Sequence, residues 1–127
     1  LDGGISDSIP IKKFQEMGYE KNVIVLTQPE NYIKKPQPMM RAIRAKYRKY
    51  PNMVRDLELR HETYNETIAY IKEEVAKNNV FVIQPERALN IGRIEHDRIR
   101  IRAVYEEGRK TAMKRLAELK MFLKQGE

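Results

Sequence analysis

Apolar and polar positions follow two rhythms along this chain, and each predicts a different kind of element. Val54, Leu57, His61, Tyr64, Ile68, Ile71 and Val75 recur in steps of three and four. That spacing predicts a long helix with one buried face. Tyr50-Pro51 marks its start and Asn78-Asn79 its end. Two short runs lack this period: Val23-Ile24-Val25-Leu26-Thr27 and Val80-Phe81-Val82-Ile83. Unbroken β-branched runs bounded by Asn and Pro predict buried strands, parallel rather than antiparallel.

The remaining pattern is helical or irregular. A short helix is expected from Ile9-Pro10 through Met17, with Gly18 as its stop. Three prolines between residues 28 and 38 predict a loop. From Met39, the positions Met39, Met40, Ile43 and Tyr47 take one side of a helix, and Arg41, Arg44 and Arg48 another. The second strand, near 80–84, stops at Pro85, and a linker runs through Gly92. Asp97 is suited to cap a last helical region, whose apolar side is Val104, Tyr105, Ala112, Leu116, Leu119 and Leu123. Gly108 is placed to divide it. The sum is an α/β pattern, helix-rich with about two buried strands. We read residues 1–127 as one segment, with a turn, helix and strand in 1–29 and the helix-rich part in 30–127. Two strands make an incomplete sheet. Its exposed edges call for strands from a missing segment or from a second copy of the chain.

Composition narrows the chemistry. The chain has 127 residues and no cysteine, which excludes disulfides and cysteine-based zinc sites. Two histidines, His61 and His96, do not by themselves build a metal centre. His61 lies on the apolar stripe and reads as a half-buried packing residue, and His96 reads as exposed. No metal or organic cofactor is expected. No apolar run approaches membrane-spanning length and no signal peptide is present, so the expectation is a cytoplasmic protein, with peripheral membrane contact as a further option. Charge is concentrated. Residues 30–60 hold nine basic against three acidic groups, a surplus of six within a net charge of +7. Such a patch attracts anionic surfaces. Lys34, Lys35, Arg41, Arg44, Arg48 and Lys49, with Tyr32, Tyr47 and Tyr50 beside them, would suit an anionic lipid surface. A solvated helix face, or a surface covered by another part of the protein, are the plainer readings. Met39-Met40 reads first as core, with an acyl pocket as the alternative.

The opening, Leu1-Asp2-Gly3-Gly4, places a carboxylate before two glycines, which permit backbone angles and close approaches denied to other residues. That is strong chemistry for a chain end, where order is poorest, and it predicts further protein upstream. Ser6 and Ser8 read as turn or capping hydroxyls.

Several segments together are similar to one known family. Asp2-Gly3-Gly4 followed by Ser8-Ile9-Pro10-Ile11, then Gly18-Tyr19 and Val23 to Pro29, resemble the conserved end of the patatin-like phospholipases. Tyr47-Arg48-Lys49-Tyr50-Pro51, Arg60-His61-Glu62-Thr63-Tyr64-Asn65, Ile83-Gln84-Pro85, Ile91-Gly92-Arg93 and Tyr105-Glu106-Glu107-Gly108-Arg109 resemble its bacterial branch. The order of the motifs is more specific than any one of them. The resemblance implies the C-terminal portion of a three-layer α/β/α fold and a serine acyl hydrolase working through a Ser-Asp dyad. It implies Asp2 as general base, with Gly3 and Gly4 shaping its turn, and a lipid carboxylic ester as substrate. A positioned carboxylate can activate a serine hydroxyl without histidine. The nucleophile's Gly-x-Ser-x-Gly and the glycine-rich oxyanion loop have no counterpart here. Gly4-Ile5-Ser6-Asp7-Ser8 ends in serine and follows no strand. The resemblance therefore implies a partner half carrying Gly-x-Ser-x-Gly, and a chain inactive alone. The rival reading is a non-catalytic helical module binding nucleic acid or another anionic surface, although no recognised nucleic-acid motif accompanies the charge. A dimerising helical domain is a third.

Overall fold

A computed structural model describes residues 3–92 and 94–125. After a short 3-10 turn at Gly3–Ile5 come α1 (Ile11–Glu16), β1 (Asn22–Val25), α2 (Met40–Lys46), α3 (Pro51–Ala76), β2 (Val80–Ile83), α4 (Arg98–Lys114) and α5 (Leu116–Lys124). This is a helix-rich mixed α/β architecture with a small parallel sheet. The chain divides into two compact units. Residues 3–20 with Ile33–Glu74 make the first, and Lys21–Tyr32 with the described part of Val75–Glu127 the second.

In the first unit, α1 begins one residue later than the sequence suggests. Pro10 takes the N-cap position rather than the first helical one, and Gly18 stops the helix at φ +93, a region glycine enters without steric cost. Ile11 is buried, as are Val54 and Ile71 on α3. A polar clasp joins the two helices. The Gln15 amide nitrogen donates to Glu74 Oε2 at 2.9 Å, and the Tyr70 hydroxyl donates to Gln15 Oε1 at 2.7 Å. Glu74 is 4% exposed. A carboxylate so deeply placed requires such donors, because burial without them is expensive. The predicted stripe on α3 holds in its middle, where Leu57, His61, Tyr64 and Ile68 are half-buried, but Val75 is exposed. Met39 departs further from expectation. It adopts a left-handed φ of 59 before α2 and is 77% exposed, so it is not a core residue.

The second unit holds the sheet. β1 and β2 pair in parallel, Asn22 with Val80 through Val25 with Ile83. The ladder continues through Leu26 N–H donating to Ile83 O at 2.8 Å. The expectation of two buried strands is corrected for β1. Val80 and Phe81 of β2 are buried, whereas Val25 of β1 is 71% exposed and Val23 is also exposed. Among the described residues no further strand lies beside β1 to cover it. Phe81 packs on Phe122 of α5, with ring centroids 5.7 Å apart and planes tilted by 39°.

Arg115 joins the two last helices and braces the sheet. Its Nη1 donates to Val82 O at 2.8 Å, and its guanidinium lies over the Phe81 ring at 4.5 Å. Its Nε and Nη2 donate to Glu118 Oε2 at 3.0 and 2.7 Å. The helical break therefore falls at Arg115, and Gly108 sits inside α4 without dividing it. α4 contains no fully buried residue, but Val104, Ala112, Leu116 and Leu119 of the apolar side assigned to this region are half-buried. Tyr105 is exposed and Val104 half-buried, while Phe122, not Leu123, enters the core.

Asp97 caps α4 as its sequence position suggests, its carboxylate accepting from Ile99 N at 2.8 Å and Arg100 N at 3.5 Å. Substitution Asp97→Ala is expected to cost about 1 kcal/mol and to fray the first turn. Thermal unfolding followed by far-UV circular dichroism checks this, and an unchanged melting curve would mean that the cap is not stabilising.

Candidate functional site

The chemistry predicted near the N-terminus centres on Asp2, which lies outside the described residues. Residues 3–9 form a turn held by its own hydrogen bonds. The main-chain N–H groups of Ser6 and Asp7 donate to Gly3 O at 3.2 and 2.9 Å. The Ser6 hydroxyl adds a donation to Gly3 O at 3.3 Å, and the Ser8 hydroxyl donates to Gly4 O at 2.8 Å. Asp7 Oδ1 accepts from Ile9 N at 3.2 Å. Ser6 and Ser8 therefore serve as turn hydroxyls, as their positions suggest. A Cβ added at Gly3 would meet nothing within 4 Å, so no described residue fills the room this glycine leaves.

The turn forms one wall of a pocket whose other wall is a single face of α3. Ile5, Ser6, Ser8 and Ile9 lie opposite Arg60, Thr63, Tyr64 and Thr67. The spacing of 60, 63, 64 and 67 explains the second wall, since residues three and four apart stack on one helix face. Two segments singled out in the sequence, the residues after Asp-Gly-Gly and Arg60 to Asn65, thus meet at one place. In the sequence Arg60 is one charge among nine and the first residue of a motif, with nothing to mark it further. In the fold its Nε is buried and has no hydrogen-bond partner among the described residues.

Asn65 has a positional role that sequence reasoning did not assign. Its side-chain oxygen accepts from Lys34 N at 2.9 Å, and its nitrogen donates to Lys34 O at 3.1 Å. One amide thus replaces a strand partner for the loop. The Lys34 ammonium lies 4.8 Å from the centre of the Tyr64 ring, within cation–π range. Substitution Asn65→Ala removes this partner from two main-chain groups and is expected to cost about 1–3 kcal/mol. Amide hydrogen exchange should accelerate across residues 31–38. Unchanged protection there would show that the loop is held by other means.

The basic patch is only partly free. Arg44 pairs with Glu58 and Lys34 is engaged by Tyr64. Lys35, Arg41, Arg48 and Lys49 are exposed and, among the described residues, unpaired. Exposed Tyr50 and half-buried Tyr47 accompany them in the first unit, and Tyr32 is half-buried in the second. His61 is half-buried with Nδ1 2.9 Å from Glu58 O, and His96 is exposed. Among the described residues no cluster of three or more His, Cys, Asp or Glu is placed to hold a metal ion. No described helix is long and apolar enough to cross a membrane. In the second unit, Lys114 beside Glu86 holds that carboxyl below its ordinary range through a 2.9 Å hydrogen bond. Both side chains are exposed, and the pair is a surface feature rather than a site.

Comparison with known proteins places most of these elements in a family. Residues 50–124, from the start of α3 to the end of α5, match the family described as Domain of unknown function (DUF6363). The chain is also similar to an uncharacterized protein, YjjU, of Escherichia coli (strain K12), with 32% identity over 91 residues. The similarity takes in 71% of this chain but 26% of that relative, so the chain spans about a quarter of the relative's length. No solved structure matches the chain. The turn that follows Asp2 and the helix α2 lie before the matched family region, and Arg60, Asn65, Arg115 and Phe122 lie inside it. With more than half of its length accounted for in this way, the chain belongs to the DUF6363 family.

Proposed function

We propose that the protein carrying this chain is a patatin-like lipid acyl hydrolase in which Asp2 is the general base of a Ser-Asp dyad. The serine and the oxyanion donors come from chain outside these residues, and the segment alone has no esterase activity. The observation that carries this reading is the ordered series of motifs from Asp2-Gly3-Gly4 to Tyr105-Glu106-Glu107-Gly108-Arg109. The pocket shared by the residues after Gly4 and the Arg60–Thr67 face supports it, because it sets a recess directly after the turn that would present the carboxylate. The parallel β1–β2 pair is then part of a larger three-layer α/β/α sheet, with β1 the edge that receives the next strand. A second copy of the chain is the alternative occupant of that edge.

In this reading the substrate is a carboxylic ester of a lipid, and the protein works in the cytoplasm with peripheral contact to the membrane. The unpaired cations Lys35, Arg41, Arg48 and Lys49 supply that contact, each adding about 1 kcal/mol near an anionic leaflet. Ester hydrolysis by the natural full-length protein, compared with its Asp2→Asn variant, tests the proposal. Loss of hydrolysis in a variant that still folds is the expected result. Absence of ester hydrolysis in the wild type, or full hydrolysis in the variant, removes it and leaves the basic surface as a non-catalytic binding module.

A further inference from the structure

We propose that the outer side of α4, together with Ile94 just before it, docks on an anionic lipid surface and inserts its isoleucines there. The first observation is which side of the helix is seated. Val104, Glu107 and Thr111, three and four positions apart, are half-buried and mark the side that rests against the second unit. Every residue from Arg98 to Ala103 is exposed, so the start of the helix is open to solvent. Ile94 is 81% and Ile99 80% exposed, the highest values among the described large apolar side chains. Ile101 and Tyr105 are exposed as well. Single apolar residues at a surface are ordinary, but a group of them on one uncovered stretch marks an interaction surface.

The second observation is charge, which identifies the occupant. α4 carries six basic and two acidic residues, and its first turns alternate Arg98, Arg100 and Arg102 with Ile99 and Ile101. Arg100 is engaged by Glu95 and Asp97, and Arg102 shares Glu106 with Arg109. Arg98 has no ionic partner among the described residues. The surface therefore keeps a positive surplus and attracts an anionic layer. An arginine lays its stem along apolar surface while its guanidinium stays with the headgroup phosphates. Cations interleaved with large apolar side chains are the composition of a helix lying in the membrane interface. Isoleucine gains from an acyl chain and nothing from a nucleic-acid backbone, so the pattern favours lipid. This surface belongs to the second unit, whereas Lys35, Arg41, Arg48 and Lys49 belong to the first. The inference rests on neither those cations nor the hydrolase reading.

The test is co-sedimentation of the natural full-length protein with phosphatidylcholine vesicles, with and without phosphatidylglycerol. The double substitution Ile94→Ala, Ile99→Ala leaves the charge unchanged. It is expected to weaken binding to the anionic vesicles about tenfold or more, the value of about two methylene groups withdrawn from the acyl layer. Arg98→Gln should weaken it about fivefold, with a smaller loss at high salt. All three positions are exposed, so thermal unfolding should be unchanged. Vesicle binding that ignores the isoleucine pair overturns the proposal and leaves membrane contact to the cations of the first unit. A lower melting temperature in the isoleucine variant, with vesicle binding unchanged, also overturns it, because another part of the protein then covers this side. A parallel titration with a fluorescent DNA duplex decides between the two anionic partners. Arg98-dependent binding of the duplex without binding to vesicles overturns the proposal, as does a wild type that binds neither. Ester hydrolysis plays no part in the readout, so failure here and failure of the hydrolase reading remain distinguishable.

Discussion

Substitution Phe122→Ala is expected to destabilise the second unit by about 3–5 kcal/mol, the usual cost of emptying a buried aromatic position. Phe122 is 5% exposed and meets Phe81, itself buried, in a tilted pair. Such pairs add about 0.5–1.5 kcal/mol beyond the area they bury. Cations lie over both rings, Lys21 5.1 Å from the Phe122 centroid and Arg115 4.5 Å from that of Phe81. Removing one ring therefore also loosens Arg115, which connects α4, α5 and the β2 carbonyl of Val82. The same change at Phe14, exposed and paired with Tyr19 at 5.9 Å, should cost clearly less. Urea unfolding of both variants, read as a shift in midpoint at constant slope, makes the comparison. Equal costs for Phe14 and Phe122 would show that the aromatic pair is not the centre of this unit.

The second large effect belongs to Asp2. In the full-length protein, Asp2→Asn should lower kcat by about 10²–10⁴, the range of a general base. The change preserves shape while replacing a proton acceptor by an amide that cannot take the proton. Stability should be unaltered, so superimposable unfolding curves together with lost ester hydrolysis separate chemistry from folding. A variant that keeps its hydrolysis would show that another group activates the nucleophile. A rise in KM at constant kcat would make Asp2 a binding residue instead.

The local elements were legible because their determinants are close in sequence. The three-and-four spacing from Val54 to Ile71, the cap at Asp97 and the stops at Gly18 and Asn78 each act within a turn of helix. The parallel pairing of two β-branched runs also followed from their pattern. The errors have a common cause. Val25 and Met39 are as apolar as core residues, and Tyr105 carries a largely apolar ring, but no described segment covers them. Gly108 has a weak helical propensity, yet the break is set at Arg115, where the guanidinium is drawn to Val82 O and Glu118. Propensity is a small term that tertiary contacts override.

The candidate site divides the same way. By itself the sequence determined the order of the elements, the charge concentrated in residues 30–60, and the Asp-Gly-Gly and Arg60–Asn65 segments as places to look. Only the tertiary structure decided that the residues following Asp-Gly-Gly and the Arg60–Thr67 face line one pocket, that Asn65 clasps Lys34 across 31 positions of chain, and that Gln15 reaches Glu74 across 59. It alone left the Arg60 nitrogen buried without an acceptor among the described residues. The reason is physical. Periodicity, caps and turns depend on groups within about four residues of each other, and a sequence displays those directly. Burial and the satisfaction of polar groups depend on which distant segments arrive at the same place, and a one-dimensional pattern holds no record of that.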